Sequence, residues 1–396
     1  MTTLFGKGLR KSIASFGDPR ALAAAIACIT ISGFSISLSF PLLSLVMESR
    51  GETETLIGLN TATAGFAALF AAPFAAPLAG RLGATPLLIA AILTCAICLM
   101  LLPFTPTWAW FPIRFVFTMA ATFTFVIAEF WINSSADESR RGVIMGVYAS
   151  MLSAGFAAGP AVLAITGSDG IAPFIVGIAA FVLSTIPVWI ARDVAPAVHD
   201  APTQKFIAFL WIAPAATLAA FVFGAVEQTS FAFLALFGLR SGLAEYQSAL
   251  LLTMMGIGNL MFQIPLGLLA DRYNRALLLF GCSLVGVAGM IALPIAIAAP
   301  LVAYAVVVVW GGITGGLYTI GLTHLGSRFR GIDLASANAM FVMMYALGMI
   351  VGPAIGGVSM QTYGPKGLAW FLAALFAGYA VIAAWRGVTR PTKPAA

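Results

Sequence analysis

GLLADRYNR, Gly267 to Arg275, sets Asp271, Arg272 and Arg275 between two long apolar runs. A worn copy, APLAGRLGA, Ala76 to Ala84, stands 191 positions earlier, with Gly80 where the acid would fall. Charges gathered like this in an otherwise greasy chain mark a loop. The same loop met twice marks a repeat.

The composition fixes the setting. The chain has 396 residues, 61% hydrophobic and 9% charged, against about 25% charged in soluble domains. Folded in water it would expose large apolar patches and aggregate. It reads as an all-α integral membrane protein. The net charge of +6 does not describe a nucleic-acid surface, because the basic residues stand singly or in pairs between apolar runs. Cys28, Cys95, Cys98 and Cys282 all lie inside such runs and read as small apolar packing residues rather than a disulfide framework or metal site. The basic stretch holding Lys7, Arg10, Lys11 and Arg20 is too long and polar for a cleavable signal peptide, so none is expected.

A spanning helix needs about 20 mostly apolar residues. Twelve runs qualify, near 20–47, 55–79, 84–104, 109–134, 141–166, 170–191, 206–237, 244–270, 275–297, 300–325, 332–360 and 366–386. Helices are expected because an open sheet leaves backbone groups unpaired in lipid. With both termini in the cytoplasm, all but four of the 20 Lys and Arg fall on that side. The exceptions are Arg50, Arg240 and Lys366 outside and Arg114 within a helix. That bias sets the orientation. Within the membrane it leaves two acids, Glu129 and Glu227, and one histidine, His324.

The longest polar connection, DVAPAVHDAPTQK (193–205), reads as a cytoplasmic linker between an N-terminal half (1–192) and a C-terminal half (206–396) of six helices each. The halves repeat. GFSISLSFPLLSL from Gly33 aligns with GAVEQTSFAFLAL from Gly224. At the same offset Gly51 meets Gly242, Glu54 meets Glu245 and Arg81 meets Arg272. GFAAGP (Gly155 to Pro160) aligns with GMIVGPAIGG (Gly348 to Gly357) at an offset of 193. Two parallel six-helix repeats are a transporter architecture, with the substrate site between them near the midplane.

These residues resemble the major facilitator superfamily. Its loop between helices 2 and 3 typically reads G-x-L-A-D-R-x-G-R-[RK], and Gly267 to Arg275 is similar to it in the loop between the eighth and ninth runs. The first copy keeps Arg81 and Gly83 but lacks the acid. Gly155, Gly159 and Pro160 match the helix-5 signature G-x-x-x-G-P without its trailing Gly-Gly, which weakens any inference of antiport. Arg114 stands where the family keeps an arginine in helix 4. AEFWINSS and GLYTIGLTHLGSRF, with the short length, resemble the small YcaD-like bacterial branch.

The resemblance implies twelve transmembrane helices in two pseudo-symmetric bundles, in the bacterial inner membrane, working by alternating access and as a monomer. Asp271, Arg272 and Arg275 would form a cytoplasmic latch that biases a two-state equilibrium, against the plainer reading of a topogenic basic loop. Arg81 would belong to a weaker latch in the first half, with Asp137, Glu138 or Glu129 as its acid. Glu129 would lie near Arg140 or Arg141 and serve gating rather than proton transfer.

Ionisable groups in lipid cost about 3 kcal/mol each on insertion scales and are functional hypotheses by default. Glu227, followed by Gln228, reads as a proton-coupling or cation-reading residue, or else as a structural partner for a neighbouring helix. Arg114 is either an anion reader or an anchor needing an acceptor. It lies 15 residues, about 22 Å, from Glu129, so the two do not bond. His324 reads as a packing residue or a cavity group. Ser32, Ser35 and Ser39 share one face of the first run and line the cavity or bond backbone. Gly155, Gly159, Gly348 and Gly352, with Pro160 and Pro353, are small-residue packing faces.

The chain carries no H-E-x-x-H, no G-x-x-x-x-G-K-[ST] and no cluster of His and Asp. No enzyme, metal, cofactor or built-in ATPase is expected. A channel would need charge rings or carbonyl filters. The expected partners are a small solute, the bilayer and protons. Export of amphipathic compounds is slightly favoured over proton-linked uptake of a polar or anionic nutrient.

Overall fold

The computed structural model describes residues 18–137, 141–195, 214–326 and 331–389. Regular structure among them is helical. Twelve helices are long and apolar enough to cross a membrane, one for each run. They are α1 (Pro19–Ser49), α2 (Glu54–Leu82), α3 (Ala84–Leu101), α4 (Trp110–Ser135), α5 (Arg141–Thr166), α6 (Ala172–Ile190), α7 (Pro214–Arg240), α8 (Glu245–Arg272), α9 (Arg275–Ala296), α10 (Pro300–Gly326), α11 (Gly331–Tyr363) and α12 (Pro365–Thr389). Of the linker, Asp193 to Ala195 are described and the rest of 193–205 lies outside the described residues.

Proline occurs inside seven of these helices and more than once in α2, as membrane helices tolerate when neighbours take up the freed carbonyl. Local chemistry sets some of the helix ends. Asn274 caps α9 by accepting the Ala276 N–H at 2.9 Å. The α1–α2 and α7–α8 turns close on Gly51 and Gly242, at φ 79° and 95°. That region favours glycine, and the two positions are repeat equivalents.

Many large apolar side chains lie on the surface. Ile165, Leu301, Ile295, Ile264 and Val381 are all at least 70% exposed, which only lipid makes favourable. Exposed tryptophans sit near helix ends: Trp108 just before α4, Trp189 at the end of α6, and Trp370 and Trp385 toward the two ends of α12, as interfacial belts do. The side on which α1 begins in one packed unit, and α7 in the other, is termed that unit's terminal face, and the opposite side its distal face.

By packing, the chain forms two compact units. One holds Met1–Ser39, Phe70–Gly159 and Phe174–Pro202, and the other Phe40–Leu69, Pro160–Pro173 and Thr203–Ala396. In the first, α5 lies backbone-to-backbone on α1. A Cβ on Gly155 would meet the Thr30 carbonyl oxygen at 2.5 Å, and one on Gly159 the Phe34 oxygen at 2.7 Å. Arg20 of α1 reaches Asp193 at 3.3 Å and the Ile190 carbonyl at 3.1 Å, tying the start of α1 to the end of α6.

In the second unit α11 lies on α7 in the same manner. A Cβ on Gly348 would overlap the Phe221 oxygen, and one on Gly352 the Ala225 oxygen. Phe221 and Ala225 stand 191 positions after Thr30 and Phe34, while the two glycines stand 193 after Gly155 and Gly159. These glycine contacts of α5 on α1 and of α11 on α7 thus follow the repeat read from sequence. α8, α10, α11 and α12 all pack around α7, which is buried along nearly its whole length.

Candidate functional site

Glu227 sits near the middle of α7. Its carboxylate accepts a hydrogen bond from Tyr345 Oη of α11 at 2.6 Å. The approach depends on Gly224, where a Cβ would strike the Tyr345 carbonyl and ring. Three further rings adjoin the pair. Phe223 of α7 stacks on Tyr345 at 5.8 Å and 26°, Tyr318 of α10 meets Phe223 at 5.3 Å, and Phe341 of α11 meets Tyr318 edge-on at 5.2 Å. Glu227, Tyr318 and Tyr345 all keep partial exposure although α7 is enclosed.

The first repeat has the same helix contact and none of this chemistry. A Cβ on Gly33, the twin of Gly224, would meet Leu152 at 2.8 Å. Leu152 is the position equivalent to Tyr345, and Ile36 the position equivalent to Glu227. An Ile and a Leu suffice to pack the α1–α5 seam. The acid and the tyrosine at the α7–α11 seam are therefore not required by the scaffold.

The other expected residues fall as follows. Gln228 is 2% exposed and its Nε2 has no hydrogen-bond partner among the described residues. Arg114 is buried in α4 and His324 near the terminal-face end of α10. Ser35 and Ser39 are fully buried and donate to the Ile31 and Ser35 carbonyls within α1. Ser32 donates to Ser184 Oγ of α6 at 3.3 Å. Glu129 of α4 accepts from Tyr148 Oη of α5 at 2.5 Å. Arg140 and Glu138, and the side chains of Arg141 and Asp271, lie outside the described residues. Arg81 and Arg272 are exposed and Arg275 is half-buried at the start of α9. Among the described residues none of these three makes an ion pair. Among the same residues no group of three His, Cys, Asp or Glu could hold a metal.

A charged cluster that no sequence motif announces lies at the distal face of the second unit. Arg240, the last residue of α7, reaches Glu48 at the end of α1 at 2.6 Å and also pairs with Glu54 at the start of α2. Beside it, α2 and α11 touch through their backbones. A Cβ on Gly58 would overlap the Pro353 oxygen, one on Gly357 the Glu54 oxygen, and one on Gly65 would meet the Ala346 oxygen at 2.8 Å. Gln361 of α11 accepts the Thr55 N–H at 3.3 Å. Its equivalent, Ser168 in the α5–α6 loop, donates its N–H to Glu245 of α8 at 2.5 Å. Two hydrogen bonds at the distal end of the second unit thus link segments of the two repeats, with side chain and backbone exchanging roles. The available signal was the Gly51/Gly242 twin, which sets an acidic helix start beside each turn.

The sequence model of the Major Facilitator Superfamily matches residues 25–331 and 216–396. The chain belongs to the Major Facilitator Superfamily. It is similar to the MFS-type transporter YfkF of Bacillus subtilis (strain 168), 25% identical over 361 residues, covering 87% of this chain and 90% of YfkF. It is also similar to the MFS-type transporter YcaD of Salmonella heidelberg (strain SL476), 21% identical over 280 residues, covering 69% and 72%. Among solved structures, that of the nucleoside transporter NupG superposes with a TM-score of 0.72 at 16% identity, over 93% of this chain and 98% of that one. At that identity the likeness speaks for the fold. Membership of the family makes the chain a multi-pass membrane transporter rather than an enzyme, and its resemblance to the YcaD-like branch stands.

Proposed function

We propose that the chain is a proton-coupled secondary transporter of the bacterial inner membrane that exports amphipathic compounds by alternating access. One observation carries this reading: the same helix seam holds Ile36 and Leu152 in one repeat and the bonded pair Glu227 and Tyr345 in the other. A carboxylate kept in an apolar interior costs stability, so its presence where an Ile serves equally well implies a task. Taking and releasing a proton as the surroundings change between two states is one a lone carboxylate performs.

Both termini are placed in the cytoplasm. The functional halves are 1–192 and 206–396, joined by the 193–205 linker, and the monomer holds a complete pathway. The distal cluster of Arg240, Glu48 and Glu54, with the α2–α11 glycine contacts, is the outer gate. Asp271, Arg272 and Arg275, with Arg81, Glu129 and Arg141, belong to the cytoplasmic gate.

A second reading, proton-linked uptake of an anionic solute, is favoured by the buried Arg114 of α4, a cation that suits carboxylate or phosphate. A thermal-stabilisation panel of organic cations, organic anions, sugars and amino acids separates the two, because a ligand of the folded state raises the melting temperature. The stabilising solute is then followed in proteoliposomes under an imposed pH gradient. The expected result is gradient-driven movement that Glu227→Gln abolishes while solute exchange persists. Undiminished gradient-driven movement in Glu227→Gln removes the coupling role.

A further inference from the structure

We propose that the rings around Glu227 form a binding site for an organic cation carrying apolar substituents. The inference rests on the transporter reading above and names its substrate class. Phe223, Tyr318, Phe341 and Tyr345, from three helices, form one continuous aromatic group beside a single carboxylate. Aromatic faces carry negative potential and attract cations, most strongly when water is excluded. A carboxylate set among such faces gives a field of one sign, matched to a diffuse positive charge and hostile to an anion.

Among the described residues, α8, α10, α11 and α12, packed on α7, place no competing cation at this level. α8 has no titratable residue between Tyr246 and Asp271. α10 carries Tyr318 at this level, with Tyr304 and His324 toward its two ends, and α11 carries Tyr345, with Asp333 and Tyr363 toward its two ends. α12 carries its cations, Lys366 and Arg386, toward its two ends, and its Tyr379 donates its hydroxyl to the Ala215 carbonyl at 2.7 Å. Arg240 is held at the distal end by Glu48 and Glu54.

The same wall is built to accept bulk. Met340 and Met344 pack in the cluster with Phe341, and Met343, Tyr318 and Tyr345 lie against it half-buried. Methionine is unbranched and polarisable and re-packs around irregular apolar groups. The partial exposure of Glu227, Tyr318 and Tyr345 leaves the acid and both hydroxyl-bearing rings open to a ligand. A proton and a cation that compete for one carboxylate also supply the exchange that an exporter needs.

The test is equilibrium binding of radiolabelled tetraphenylphosphonium to the purified full chain in detergent, with tetraphenylborate as the anion of the same shape. Saturable binding of the cation alone is expected, tightening as pH rises, because the ionised carboxylate is the partner. Glu227→Gln is expected to weaken it about 100-fold and to remove the pH dependence. Tyr345→Leu, which installs the first repeat's own residue, is expected to cost about tenfold, and Tyr345→Phe much less.

Absence of saturable cation binding, equal binding by Glu227→Gln, or preference for the borate overturns the proposal. The same preparations, spin-labelled across the distal seam, separate the two failures. If the seam still responds to pH through Glu227 while the phosphonium does not bind, the substrate class falls and the transporter reading stands. If the seam ignores Glu227, the coupling reading falls with it.

Discussion

Arg240→Gln is expected to loosen the distal seam, and the size of the effect follows from the burial of its partners. The guanidinium side chain is 36% exposed, Glu48 20% and Glu54 only 8%. A fully exposed pair contributes about 0 to 1 kcal/mol. Removing one partner of a fully buried pair costs about 3 to 5 kcal/mol, because the other charge is stranded. This cluster lies between the limits, and loss of Arg240 also leaves two carboxylates facing each other. An effect of about 2 kcal/mol on the closed seam follows, roughly a 30-fold change in the ratio of closed to open forms. Coupled conformers differ by only a few kcal/mol, so such a change is visible in the populations. Spin labels on Cys introduced at Glu52 and Thr362, both off the ion cluster, report the distance across the α2–α11 seam by pulsed dipolar spectroscopy. The four native cysteines are buried, which keeps labelling specific. A longer-distance population should grow in Arg240→Gln and shrink again when Glu54→Gln is added. Superimposable distance distributions for wild type and Arg240→Gln would show that the cluster does not hold the seam.

Other substitutions test the packing and the second gate. Gly348→Val and Gly155→Val each drive a side chain into a facing carbonyl; overpacking of this kind costs about 1 to 3 kcal/mol, so both should lower the melting temperature in detergent, and an unchanged temperature would refute the backbone contact. Tyr148→Phe removes the donor to Glu129 and should destabilise by about 1 to 2 kcal/mol, an effect that Glu129→Gln added to it should largely mask. Asp271→Asn should shift spin-label distances across the terminal face toward longer values; unaltered distances would leave the 267–275 loop a topogenic signal only.

Most of the fold was legible because the bilayer imposes it. Length and apolarity located twelve helices, and the Gly33/Gly224 and Gly155/Gly348 pairs fixed the repeat that the α1–α5 and α7–α11 contacts reproduce. Lone charges were legible for the same reason: Glu227, Glu129 and Arg114 stand out against grease. Their partners were not. Tyr345 lies 118 positions from Glu227, and a tyrosine in an apolar run carries no periodic signal of its own. Comparing the repeats position by position would have exposed it, since Leu152 and Ile36 are where the polar pair would be. Arg240 was read by side of the membrane alone, which says where a charge is but not what it holds. Its partners became visible only when the turns at Gly51 and Gly242 brought the starts of α2 and α8 beside the end of α7. Helix rotation hid the fate of Ser35 and Ser39, whose spacing suits a cavity face and a self-bonded helix face equally.

The central claim is that the protonation of Glu227 sets the state of the transporter, and it is tested without knowing the substrate. The measurement is the spin-label distance across the distal seam in lipid nanodiscs, titrated from about pH 5 to 9 in wild type and in Glu227→Gln. The account predicts that the wild-type distribution moves between two populations with pH and that Glu227→Gln holds one population throughout. A Glu227→Gln protein that follows the wild-type titration would contradict it.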